Sequence, residues 1–162
     1  MSTEVETFVQ LKSPEWQTQL PDVEILCQTA ATATWQAAFD QEGVFEAVVV
    51  LADDGLVQEL NREYRNQDKP TNVLSFPADQ DDAILPGDVP TLGDIIIAFE
   101  TTKSEAPKNL SNHLSHLVVH GCLHLLGFDH ENDKAAAEME GLETQILAGL
   151  GIADPYDATP NG

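Results

Sequence analysis

Positive charge is scarce in this chain. Seven Lys and Arg stand against 28 Asp and Glu in 162 residues, a formal net charge of -21. A surface that negative favours solubility and argues against general, non-specific binding of nucleic acid. Cysteine is scarce too. Cys27 and Cys122 form no CxxC pair, which excludes a disulfide framework. No apolar run reaches the roughly 18 residues that a membrane span needs. The start, MSTEVETFVQ, carries acids and no sustained apolar run, so no secretory leader is expected and the cytoplasm is the expected location. Repeats, low-complexity segments and interdomain linkers are absent. The length suits one domain with a real core.

What the chain does have is concentrated. Three of its seven basic residues, Arg62, Arg65 and Lys69, fall within eight positions, and this is where an anionic substrate would be met. The stretch HGCLHLLGFDH holds His120, His124 and His130, with Gly127 between the second and third histidines. On a helix, His120 and His124 stand one turn apart on the same face. Gly127 can end that helix in a left-handed conformation that costs a residue with a Cβ more, and the reversed chain returns His130 towards the other two. Three imidazoles converging on one point are a metal site. An open fourth position leaves room for water, the mark of a catalytic ion. The spacing equals that of the HExxHxxGxxH metalloproteases, but Gly121 stands where those enzymes carry their general-base glutamate. Cys122 falls on the far side of such a helix and is expected as a small buried residue.

Around this centre the hydrophobic pattern predicts the elements. Residues 4–12 alternate loosely, as a strand does. Pro14 and Pro21 bracket a loop or turn, and Asp22 is placed to cap a helix. VFEAVVVLA, residues 44–52, reads as a strand covered on both faces. Asp53 or Asp54 then caps a short helix through Arg65. NVLSF reads as a strand ended by Pro77, residues 79–91 as an exposed acidic loop, and Leu92 to Thr101 as another strand. From about Leu110 to Leu126 a long helix is apolar almost all round. Its polar stripe is His113, His116, His120 and His124, within about 80° at 100° per residue. His113 and His116 are open to three roles: lining the cleft, backing the ligands, or serving as ordinary surface and capping groups. Asp133 caps a last helix, about 134–149, with Met139, Leu142, Ile146 and Leu147 facing inwards. The expected fold class is α+β: a single domain, with a mixed sheet of about four strands packed with helices and a central buried helix carrying the metal ligands. Residues 1–153 form that metal-dependent hydrolase domain in this reading, and 154–162 a flexible tail. The short helix with Arg65 is expected beside the histidine helix, with NVLSF as the floor between them.

Taken together, LNREYRNQDKPTNVLSFP, LGDIII and HLVVHGCLHLLGFDH resemble the bacterial YbeY family in content and order. The last helix with Met139 and Glu143, and the DPY from Asp154 to Tyr156, are similar to it as well. The resemblance covers roughly residues 45–156, and the first 40 residues carry little of it. It implies a metal-dependent, single-strand-specific endoribonuclease acting in rRNA maturation, at the 3′ end of the small-subunit rRNA, and in ribosome quality control. It further implies that His120, His124 and His130 bind one divalent transition metal per chain and that Arg65 is the catalytic arginine. The implied partners are single-stranded RNA and the small ribosomal subunit, with neither membrane nor DNA. Two positions depart from the family pattern: Phe128 stands where tyrosine is frequent, and Asn72 where aspartate is frequent.

The residues themselves point to the same chemistry. Three neutral imidazoles leave the ion's charge undiminished, and zinc held this way lowers the pKa of bound water to about 7. Phosphate esters need no protonated amine leaving group, so the lack of a glutamate is less of a handicap than in a protease. They do need a cation, and an arginine fork matches phosphate oxygens. Thr71, Asn72 and Ser75 are candidates for the same cleft. Imidazole ligands suit zinc, nickel, copper or iron, with zinc the default. The competing readings are a metzincin-like metalloprotease, a non-catalytic metal-containing ribosome-assembly factor and a hydrolase of small phosphate esters.

Overall fold

The computed structural model describes residues 3–78 and 88–155, and in them strands and helices follow one another largely as the hydrophobic pattern predicts. The first strand, β1 (Thr3–Leu11), alternates between half-buried and exposed positions. Between the two prolines expected to bracket a loop lies a short helix, α1 (Glu15–Gln19). It forms because Trp16 needs a buried seat: the indole is fully buried, donates to the Ala52 carbonyl at 2.9 Å, and meets Phe99 edge-on. The next helix, α2 (Val23–Ala38), starts after Asp22, whose side chain makes no capping bond. It leads to β2 (Gly43–Ala52) and α3 (Asp54–Arg65), where Asp53 caps by accepting from the Leu56 amide. Two further strands follow, β3 (Val73–Pro77) and β4 (Thr91–Ala98).

The strand expected to run to Thr101 stops at Ala98, where α4 (Phe99–Glu105) begins. Polar groups decide that boundary. Asp54 accepts from the Thr101 amide and hydroxyl, and Glu100 accepts in return from the Asp54 amide. Each carboxylate thus satisfies free amides at a helix start, which an extended Thr101 could not offer. The long histidine helix, α5 (Leu110–Leu125), and the last helix, α6 (Asp133–Gly149), complete the chain. The cap of α6 is Asn132, one residue before the expected Asp133, and its side chain accepts from the Ala135 amide. Residues 79–87 of the expected acidic loop, and 156–162 of the expected tail, lie outside the described residues.

The strands make one mixed sheet in the order β1-β2-β4-β3, with β3 antiparallel at one edge and the rest parallel. One face carries the main core. Ala47, Val49, Leu51, Ile95 and Ile97 pack there against α2, α5 and α6. The other face holds a small core in which Val57 of α3 meets Ala52, Leu74, Ile96 and Ala98. The valine-rich β2 is therefore not covered on both faces throughout. Val48 and Val50 stay half-buried, and Val44 is 45% exposed. Among the described residues no helix is long and apolar enough to cross a membrane.

Helix α5 is held at the centre of this arrangement by a close approach at Gly121. A Cβ there would stand 2.7 Å from Cγ2 of the fully buried Ile95. Replacing Gly121 by alanine should therefore lower the melting temperature. Overpacking costs about 1–3 kcal/mol and outweighs the roughly 1 kcal/mol gained in helix propensity. Thermal denaturation of Gly121→Ala, alone and combined with Ile95→Ala, checks this. The alanine should cost less once Ile95 is truncated, and equal costs in both backgrounds would show that the contact does not limit packing.

Candidate metal centre

Three histidines reach one point because two local geometries cooperate. His120 and His124 project from the last turns of α5, where their Nε2 atoms are 3.1 Å apart. The chain then reverses. Gly127 adopts φ +100°, its amide donates to the His124 carbonyl, and the Phe128 amide donates to the Leu123 carbonyl. This is the Schellman closure of a helix, with Phe128 packed back on the main core. It delivers His130, whose ring stacks at 5.8 Å from His120 and lies 5.3 Å from His124. One nitrogen from each of the three rings falls within 4.8 Å of the others.

The donor chemistry fits a metal ion. Two nitrogens bound to one tetrahedral zinc at about 2.0–2.1 Å stand roughly 3.3 Å apart, close to the 3.1 Å between His120 and His124. Ligand histidines must be neutral. Burial, with the His120 and His130 rings alongside, pushes the His124 pKa down from 6.5 to about 4, against a backbone hydrogen bond with Phe128 and the charge of Glu143. That ring keeps a lone pair free at neutral pH. His116, His120 and Glu143 form a second group of nitrogen and oxygen atoms close enough to hold an ion, and it shares His120 with the first. Cys122 takes no part. It is fully buried in the core, as expected, and burial raises its thiol pKa well above the ordinary value.

Arg65 reaches the same cleft by an unexpected route. The helix that carries it does not lie beside α5, because the small core puts α3 on the opposite face of the sheet. Apolar Leu56, Val57 and Leu60 bury against that second face, which a one-dimensional pattern cannot assign. The arginine instead lies against the edge strand β3. Its Nη2 donates to the Ser75 carbonyl at 2.8 Å, and its guanidinium sits 5.5 Å from the centre of the Phe76 ring. Asn61, 3% exposed, holds the following loop closed by donating to the Lys69 carbonyl. The result is a cleft of about 670 Å³ lined by all three histidines, by Arg65 and Lys69, and by Thr71, Asn72 and Ser75 as expected. No carboxylate lines it among the described residues.

His113 and His116 extend the stripe away from that cleft. His113 pairs with Glu105 at 2.8 Å, and the Asn72 amide donates to the same carboxylate. His116 lies 3.3 Å from Glu143, whose Oε1 is also 2.6 Å from Nδ1 of His120. Glu143 is the site residue that the pattern of the chain left without a role. Its signal was available: it sits four residues after Met139 and three before Ile146, an acid on an otherwise apolar inward face.

Comparison with known proteins finds relatives along most of the chain. A family profile described as Endoribonuclease YbeY matches residues 10–151. A protein named Endoribonuclease YbeY from Paramagnetospirillum magneticum is 50% identical over 161 residues, covering 96% of this chain and 98% of its own. Its namesake from Bradyrhizobium diazoefficiens is 51% identical over 150 residues, covering 90% and 81%. Among solved structures, the solution structure of a Thermotoga maritima protein is 25% identical with a TM-score of 0.55, covering 98% of this chain and 99% of that one.

The depressed pKa of His124 has a sign that can be measured in metal-free protein. The unfolded chain takes up a proton at about the ordinary 6.5 and the folded chain only near 4. Between those values the unfolded state binds more protons, so stability contributed above pH 6.5 is lost as pH falls towards 4. Melting of chelator-treated wild type should therefore drop more steeply over that window than melting of His124→Gln. Parallel curves would show that another group governs the acid limb.

Proposed function

The chain belongs to the YbeY endoribonuclease family, and from that premise we propose that its three-histidine cleft cuts single-stranded RNA during rRNA maturation, at the 3′ end of the small-subunit rRNA, and in ribosome quality control. The observation that carries the reading is a segregation of charge. In a protein of net charge -21 the cleft beside the histidines holds Arg65 and Lys69 and no described carboxylate. A pocket of that kind suits a phosphodiester.

His120, His124 and His130 hold one divalent ion, zinc by preference, through neutral imidazole nitrogens. When bound, such an ion acts as a Lewis acid and activates water for attack at phosphorus. Arg65 grips the phosphate. One of its donors is anchored on Ser75, and among the described residues the rest of the fork has no hydrogen-bond partner and can take two oxygens. Thr71 and Asn72 offer polar groups to the sugar on the same wall. The small ribosomal subunit is the macromolecular partner and the cytoplasm the location in this reading.

A metalloprotease is disfavoured by more than a missing glutamate. Gly121, in the place of the protease base, is directed at Ile95 inside the helix-sheet contact, so a longer side chain there meets the core. Wild type should leave peptide substrates intact, and Gly121→Glu should gain no peptidase activity.

His124→Ala should lose most of the bound metal by elemental analysis, and full retention would show that the ion sits elsewhere. Arg65→Ala should keep its metal and a near-native melting temperature, since an exposed arginine contributes little to stability. In single-turnover cleavage of a single-stranded RNA it should lose on the order of 10³-fold in rate. Arg65→Lys should recover only part of that, and binding should weaken sharply with salt. An Arg65→Ala protein that cuts at the wild-type rate would refute the assignment of the clamp.

A further inference from the structure

A carboxylate with no exposed surface, set among Met139, Ile146 and Leu147 on the inward side of α6, needs a reason to be there. Glu143 is 0% exposed, while its apolar neighbours are 1%, 5% and 0% exposed. Burying an ionised carboxylate is costly unless it is hydrogen-bonded and its charge is balanced. Its Oε1 lies 2.6 Å from Nδ1 of His120 and 3.3 Å from Nε2 of His116.

Those distances decide between two roles. The group His116, His120 and Glu143 has the composition of a metal site of its own. Two ligand atoms on one tetrahedral zinc stand about 3.3 Å apart, however, because each bond is about 2.0–2.2 Å long. At 2.6 Å, Nδ1 of His120 and Oε1 of Glu143 are too close to share an ion and at the right separation to share a proton. On the other side of the same ring, the 3.1 Å between the Nε2 atoms of His120 and His124 suits two ligands of one ion.

We infer that Glu143 is a positioning residue: its buried carboxylate holds the His120 proton on Nδ1, so that Nε2 faces the metal as a lone pair, and raises the ring's strength as a ligand. A carboxylate behind a ligand imidazole fixes both tautomer and orientation and adds electron density to the donor nitrogen. The same arrangement bears on the burial. An ion held by the three histidines would offset the carboxylate's charge through the His120 ring. His116 contributes a second, longer contact to the same oxygen, which keeps the carboxylate turned towards His120. The inference rests on reading the three histidines as a metal site, and it is independent of what the site cuts.

The test uses the full chain and zinc as the probe. Affinity is read by competition with a chromogenic chelator, and the ring proton of His120 by nitrogen-15 shifts in metal-free protein. Wild type should carry that proton on Nδ1. Glu143→Leu should release it and weaken zinc by about 10–100-fold. Glu143→Gln still accepts a hydrogen bond without the charge, so it should keep the tautomer and lose part of the affinity. Glu143→Asp should recover more affinity than Glu143→Leu. Substitution at His116 should weaken zinc less than Glu143→Leu does. If the leucine variant fails to fold, the wild-type tautomer and the glutamine affinity still decide. A proton on Nε2 in wild type would overturn the inference, and so would a Glu143→Gln protein that binds zinc as tightly as wild type and keeps the tautomer. Wild type that binds zinc but cuts no RNA would remove the nuclease reading and leave this one standing.

Discussion

The seating of α5 on β4 through Gly121 is the constraint on which the rest of the molecule turns. A helix apolar on most of its surface must be enclosed, and it can approach the sheet this closely only where one residue has no side chain. Once Gly121 faces Ile95, the rotation of the helix about its axis is fixed. The histidine stripe is then directed along the side bounded by α6 and the β3 edge. The site is a consequence of how the core packs, and its two helical histidines inherit the rigidity of the most buried element of the fold.

Charge is arranged with equal economy. The cations of the cleft come from the end of α3 and the loop after it, on the far side of the sheet from the main core. They meet the histidines because β3 is an edge strand whose carbonyl at Ser75 can anchor a guanidinium. An interior strand would have its carbonyls occupied on both sides and would put the sheet between the two halves of the site. The weak edge of the sheet is thus where the cleft is assembled.

Much of this was legible in the sequence, for identifiable reasons. The period of α5 and the glycine at its end carry local rules, and the Schellman turn at Gly127 obeys them. The α+β mixed sheet followed from valine-rich runs separated by helical periods, and the relatives agree with the motif-based family. What was not legible is what depends on the third dimension. The face of the sheet taken by α3, the helical start at Phe99 imposed by the exchange between Asp54, Glu100 and Thr101, and the short helix that seats Trp16 all answer to partners distant in sequence. The acid on the apolar face of α6 was visible in the pattern, but its place behind His120 belongs to the same class, because only the packing of α6 on α5 creates that contact.

The reversal at Gly127 also bears on how an ion is taken up and given back. On the proposed metal reading, His120 and His124 would form a chelating pair whose bite is set by one turn of helix, so an arriving ion would find two donors already in place. The third donor, the exposed His130, follows a tethered loop only six residues beyond His124, with both of its first amides tied down. Its effective concentration at the ion is therefore high, and ordering one side chain is the main entropy cost of completing the site. On the proposed metal reading, release would begin at that same residue, the one donor of the three that lies outside the helix.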